Sequence, residues 1–219
     1  MIVSRLPREI QALVFDMDGT LYTHRDYFRY QESSQVARLA RRLDISAAAA
    51  ADMLEEVREA RRQAGLPKTS MARLFLGFGI DMATIVRWRE EEIRPAEWLD
   101  ADPRLDASLA MLARHYRLAL LTNNPKKVGI DSLEALGIHS RFEAVVGLDD
   151  TFESKPSRAP FLKVCGALGL SPSSCVSVGD REDVDIEPAL AVGMGAILVN
   201  GVEDVYRLPG LLISPGISG

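Results

Sequence analysis

Two carboxylates one residue apart, Asp16 and Asp18, follow the apolar run Ala12-Leu13-Val14-Phe15 and lead into a Gly19-Thr20 turn. Like charges this close oppose each other unless a cation or a reacting electrophile shares the site. Where a strand gives way to a loop, both acids can turn into one crevice. The pair is therefore a candidate nucleophile and a candidate proton donor, with a metal between protein and substrate. Three later segments carry matching chemistry. Thr122 closes Leu118-Ala119-Leu120-Leu121 and is followed by Asn123-Asn124-Pro125; a hydroxyl, an amide and the backbone N–H groups of a helix start make an anion cradle. Lys155, in Glu153-Ser154-Lys155-Pro156, offers an ammonium held by a loop whose proline restricts the backbone. Asp180 ends the run from Cys175 to Gly179 and opens an acid-rich stretch with Asp183 and Asp185. A few carboxylates with retained water suit Mg²⁺.

The elements that must position these groups read as follows. Strands are predicted over Leu13–Asp16, Leu118–Thr122, Ala144–Gly147, Cys175–Gly179 and Ala196–Asn200, each short, aliphatic and bounded by turn residues. Their apolar residues on both faces imply a sheet covered on both sides. Helical periodicity lies between them: Leu105, Leu109 and Leu112 recur within a helix predicted over Arg104–His115, and Phe161, Cys165 and Leu168 repeat the spacing. The fold class is α/β, a doubly wound, Rossmann-like parallel sheet, whose loops at the carboxyl ends of the strands hold every candidate residue. From His24 to Pro95 no strand is predicted. Val36, Leu39 and Leu43 form one helical stripe, Met53, Val57, Ala60 and Ala64 a second, and a further helix runs over Ile80–Glu92 with Asp81 as its N-cap. This gives a core of residues 1–22 and 100–219, with a small α-helical cap domain over 23–99 entering the chain beside the Asp16 loop as a lid. His24, Arg25, Tyr27, Arg61, Arg62 and Lys68 are its candidates for reaching substrate. Trp88 and Trp98 pack the insertion and its return. The Gly-, Pro- and Ser-rich tail from Leu208 is expected to be loosely ordered.

Taken in order, each after a predicted strand, these motifs resemble those of the haloacid dehalogenase-like hydrolase superfamily, from Asp16 to the end of the last strand. The helical insertion falls where that superfamily's type-one cap belongs. The stretch from Ile93-Arg94-Pro95 through Thr122-Asn123 is most similar to the phosphoglycolate phosphatase and nucleotidase branches. The resemblance implies that Asp16 is the nucleophile and becomes an aspartyl-phosphate. It implies that Asp18 protonates the leaving group and then activates water. Thr122 would bind the transferring phosphoryl group with help from Asn123, and Lys155 would neutralise the nucleophile and the phosphate oxygens. Mg²⁺ would be held by Asp16, the backbone carbonyl of Asp18, Asp180 and, at the crowded end of the motif, Asp185, with Asp183 also open.

Composition sets the remaining bounds. The chain has 219 residues, 47% of them hydrophobic and 26% charged, with a net charge of −5; an acidic balance without a basic run argues against a nucleic-acid partner. No stretch has the length of a membrane span or the form of a signal peptide, so a cytoplasmic location is expected. Cys165 and Cys175 are expected to be buried free thiols. The functional expectation is a Mg²⁺-dependent phosphatase for a small phosphorylated metabolite. A sugar phosphomutase and an inactive binding protein of the same fold are the alternatives, and the pattern fixes no oligomeric state. Attack on a carbon centre needs no acid two residues after the nucleophile, so Asp18 sets dehalogenation further off.

Overall fold

The structure is a computed structural model and describes residues 1–66 and 69–213. The described chain divides into two compact units: Met1–His24 together with the chain from Pro95 onward, and Arg25–Arg94.

The first unit is built on one mixed sheet of six strands in the order β1-β6-β5-β2-β3-β4. The strands are β1 (Ile2–Arg5), β2 (Ala12–Phe15), β3 (Arg117–Leu121), β4 (Ala144–Val146), β5 (Cys175–Gly179) and β6 (Gly195–Leu198). All neighbours run parallel except β1, which pairs antiparallel with β6. Every residue of β2 is buried, as a central strand between two parallel partners must be. From β2 the chain winds outward through β3 to β4, then returns to the other side of β2 as β5 and β6. Right-handed crossovers therefore place the helix between β3 and β4 on one face and the helices that follow β4 and β5 on the other. The reversal lies at β2, so the topological switch point coincides with the loop that carries Asp16 and Asp18.

The five strands expected from the sequence are present, Cys175–Gly179 with the expected bounds and the others shifted by one or two residues. The edge strand β1 was not expected. All its residues are exposed, and its register slips between Val3 and Arg5, so it carries none of the apolar pattern that betrays a buried strand.

In the second unit the helices are α1 (Arg25–Leu43), α2 (Ala47–Gln63), α3 (Met71–Leu76) and α4 (Met82–Glu92). Helix α4 starts where Asp81 caps it, its carboxylate accepting from Thr84 N at 2.7 Å. Ser46 caps α2 in the same way through Ala49 N. On α1, Leu39 is buried and Val36 and Leu43 are partly so, which agrees with the first expected stripe. The second stripe is corrected: Ala50 and Leu54 form the buried side of α2, whereas Val57, Ala60 and Ala64 are exposed. An alanine-rich helix has too little contrast between its faces for periodicity to choose one. Trp88 packs edge-on against Phe75 within this unit.

The remaining helices belong to the first unit: α5 (Pro103–Leu112), α6 (Lys126–Ala135), α7 (Arg158–Ala167), α8 (Glu187–Ala191), α9 (Val202–Val205) and α10 (Leu208–Leu212). One face of the sheet, from Ala12, Val14, Ala119 and Val146, packs on Phe161, Val164, Cys165 and Leu168, with Ala189 and Met194 completing the cluster. Cys165 and Cys175 are free and buried there. Helix α10 corrects the expectation of a loose tail at its start; the residues beyond Ile213 lie outside the described residues, as does Lys68. Among the described residues, no helix is long and apolar enough to cross a membrane.

Candidate active site

The sheet brings Asp16, Thr122, Lys155, Asp180 and Asp185 to the carboxyl ends of neighbouring strands. Asp16 follows β2 directly, and its N–H donates to Val178 O of β5 at 2.8 Å. Thr122 follows β3, donating its N–H to Val146 O of β4. Asp180 follows β5. Asp16 and Thr122 are thus fixed by the ladder continuing one residue past their strands.

Lys155 arrives from the loop after β4. Its ammonium is 1% exposed and donates to Asp16 Oδ1 at 2.6 Å, to Asp185 Oδ1 at 2.6 Å and to Leu121 O at 2.9 Å. Three donors meet three acceptors, which satisfies the group completely. Burial works against the Lys155 charge, yet Asp16 and Asp185 hold its ammonium above the usual lysine value. Asn123, expected beside the phosphate, uses its carboxamide on the Lys155 backbone: it accepts from Lys155 N at 2.7 Å and donates to Lys155 O at 3.2 Å. The Thr122 hydroxyl accepts from Asn124 N at 3.1 Å, fixing the turn that carries both asparagines.

The acid-rich stretch resolves into distinct roles. Residues Glu182–Ile186 form a π-helical turn that buries Asp185 and leaves Asp183 partly exposed. Asp185 accepts from Lys155 with one oxygen and from Arg181 N with the other, at 3.2 Å. Ligand oxygens of Asp16, Asp180 and Asp185 lie within 4.8 Å of one another, a group that Asp183 does not join. Asp180 Oδ1 is buried without a hydrogen-bond partner, its nearest paired cation being Arg181 Nε at 3.9 Å. An orphaned buried oxygen facing two further carboxylates fits a hard divalent cation with oxygen ligands.

Two glycines make room for this cluster. A Cβ on Gly179 would lie 2.3 Å from Asp185 Cβ, and one on Gly19 would lie 2.3 Å from Asp180 Oδ2. Gly19 also has φ +86°, a conformation that other residues adopt only at a cost. Gly19→Ala is expected to cost about 1–3 kcal/mol of stability and, by displacing Asp180, to weaken about tenfold the binding of any cation that this cluster holds, with Mg²⁺ as the probe. Urea denaturation and calorimetric Mg²⁺ titration measure the two effects separately.

Burial, with Asp16 and Asp185 adding to it, pushes the Asp180 carboxyl up from its ordinary value of 3.8 to about 7. Burial raises Asp185 in the same direction, against the pull of Lys155. Between the ordinary carboxyl value and about 7, the metal-free native state then binds more protons than the unfolded chain. Its stability from these groups falls as pH rises through that window and levels off above it. The increase in Tm on adding Mg²⁺ should therefore be larger at about pH 8 than at about pH 5, and Asp180→Asn should flatten the difference. A Tm increase independent of pH in the wild-type chain would contradict this.

Two contributors escaped the sequence reading. Tyr22 donates its hydroxyl to Asp18 Oδ1, and Asn124 donates Nδ2 to Asp18 Oδ2 at 3.1 Å. The only sequence signal for Asn124 is its place before Pro125, which favours an extended backbone. Tyr22 is an aromatic in an apolar context and reads as core. Of the candidates at the helical insertion, Tyr27 is buried, Arg62 pairs with Glu55 and Glu59, and His24 packs edge-on against Trp98 in the first unit.

A mostly parallel α/β core with a buried lysine bridging two carboxylates at its switch point, and a third acid beside them, is the arrangement this chain shares with a family of hydrolases. The chain belongs to the haloacid dehalogenase-like hydrolases, whose family model matches residues 10–193. It is 25% identical over 229 aligned positions to the phosphoglycolate phosphatase of Chromobacterium violaceum, covering 92% of this chain and 90% of that protein. It is 38% identical over 106 residues to the human N-acylneuraminate-9-phosphatase; that match spans 47% of this chain and only 43% of the length of the relative. The crystal structure of a HAD phosphatase from Thermococcus onnurineus superposes with a TM-score of 0.62 at 24% identity, covering 93% of this chain and 98% of that one, which establishes the common fold.

Proposed function

We propose that this protein is a Mg²⁺-dependent phosphatase that hydrolyses a small phosphorylated metabolite through an aspartyl-phosphate on Asp16. The observation that carries this reading is the Lys155 ammonium held between Asp16 and Asp185 beside the orphaned Asp180 oxygen. The phosphatase names of the relatives support it.

In the first half-reaction an oxygen of Asp16 attacks phosphorus, the P–O bond to the alcohol breaks, and the leaving oxygen takes a proton from Asp18. In the second, water attacks the phosphorus, Asp18 takes the proton, and the bond to Asp16 breaks to release phosphate. Lys155 keeps Asp16 aimed through its hydrogen bond to Oδ1, and balances negative charge on the transferring group. Thr122 lies at the end of β3 where its hydroxyl and the following backbone N–H groups can receive phosphate oxygens. Asn123 acts on Lys155 by fixing its backbone. Asp16, Asp180 and Asp185 would hold the Mg²⁺, with the Asp18 carbonyl as a further ligand. The ion supplies charge compensation for the phosphoryl oxygens.

The test is phosphate release from 2-phosphoglycolate, hexose phosphates and nucleoside monophosphates, with Mg²⁺ and with EDTA. Mg²⁺-dependent release supports the reading and names the substrate class. Isomerised sugar phosphate without free phosphate would make the protein a mutase, and silence across the panel from folded protein would make it a binder.

A further inference from the structure

Asp18 is held at both ends of its carboxylate by side chains that the proposed chemistry has not used. Tyr22 meets Oδ1 and Asn124 meets Oδ2. Both partners are themselves fixed. Tyr22 is buried, and the backbones of Asp18 and Tyr22 form a bridge across the Gly19-Thr20 turn, with Gly19 N donating to Tyr22 O at 3.1 Å. Asn124 is buried, its N–H donates to the Thr122 hydroxyl, and its carbonyl accepts from Leu148 N. Asp18 itself is only partly buried.

The two holders differ in chemistry. An amide nitrogen only donates, so Oδ2 must remain an acceptor whether or not Asp18 carries a proton. A phenolic hydroxyl donates or accepts. The proton of Asp18 can therefore sit on Oδ1 without leaving a donor facing a donor, and the Tyr22 hydroxyl turns between accepting from the acid and donating to the carboxylate.

We propose that Tyr22 and Asn124 are positioning residues for the proton transfer by Asp18: Asn124 fixes the carboxyl plane through Oδ2, and Tyr22 marks Oδ1 as the oxygen that gives the proton to the leaving group. This rests on the phosphatase reading. As the proton leaves Oδ1 for the departing alkoxide, negative charge grows on the Asp18 carboxyl, and the Tyr22 hydroxyl turns to donate to it. That hydrogen bond is made as the transition state forms, so its loss acts on turnover and leaves substrate binding alone.

The dependence on leaving group separates this role from general support of the fold. An alkyl phosphate needs the proton as its P–O bond breaks; 4-nitrophenyl phosphate, whose leaving group is a stable anion, does not. The experiment measures kcat/KM, which reports the first half-reaction, for wild-type, Tyr22→Phe and Asn124→Ala on 2-phosphoglycolate, glucose 6-phosphate and 4-nitrophenyl phosphate. Tyr22→Phe removes one hydroxyl and keeps the ring, and urea denaturation checks that both variants fold. The expected result is a loss of about tenfold on the alkyl esters that the wild-type enzyme hydrolyses, and less than about twofold on 4-nitrophenyl phosphate, with alkyl-ester KM unchanged. Equal losses on both kinds of ester, or no loss on either, with an active wild-type enzyme would overturn the positioning role and leave the phosphatase reading intact. A wild-type enzyme silent on all three esters would overturn both.

Discussion

Asp16→Asn is expected to lower turnover by at least about a thousandfold while the chain stays folded. An amide of the same shape keeps the place of Asp16 at the end of β2, and its backbone bond to Val178 O is untouched. What it loses is the anionic oxygen that attacks phosphorus. The substitution also removes one charge from a crowd of carboxylates, since Asp16 and Asp185 both push the Asp180 carboxyl upward. Lys155 retains Asp185 and Leu121 O as acceptors. Stability in EDTA should therefore change little at neutral pH. The measurement pairs steady-state phosphate release with acid-quenched detection of phosphoaspartate, which should be present in the wild-type chain and missing from the variant. Undiminished turnover by Asp16→Asn would remove Asp16 from the nucleophile's role.

Lys155→Met should damage both activity and fold. The methionine side chain fills much of the same space, but two buried carboxylates then face each other without their shared cation. Removing one partner of a buried ion pair typically costs about 3–5 kcal/mol. The loss belongs to the stranded charges, so adding Asp185→Asn in the same chain should recover part of the stability and none of the activity. Urea denaturation of the single and double variants in EDTA measures this coupling. Stability unchanged by Lys155→Met would mean that the triad contributes nothing net to the fold.

The five buried strands and the order of the site residues were legible because each strand is a short apolar run ended by a turn residue, and because the chemistry falls just beyond those ends. The exposed strand β1 lacked that contrast. On α2, alanines at Ala47 to Ala51 signalled helix strongly and facing weakly, so Leu54 had to be located by the structure. The choice between Asp185 and Asp183 depended on a π-helical turn and on the bare Cα of Gly179, neither of which leaves a periodic trace. Asn123 and Tyr22 show a different limit. The sequence reveals that an amide or a phenol is near the site, but whether it faces the substrate or holds another side chain is decided by hydrogen bonds between segments far apart in the chain.

Trp98 touches His24 edge-on, with ring centroids 5.9 Å apart, so the chain leaves the first unit and returns to it at almost the same point. Asp16, Asp18 and Tyr22 precede that departure, and Asn124, Lys155, Asp180 and Asp185 follow the return. The Arg25–Arg94 segment is thus a cassette on a single doorway. A short linker from His24 to Pro95 would span the gap, and closing a shorter loop costs less chain entropy. Evolution can exchange or enlarge such a cassette while every residue assigned to the chemistry stays in the first unit, and an engineer can graft a foreign one onto the same two residues.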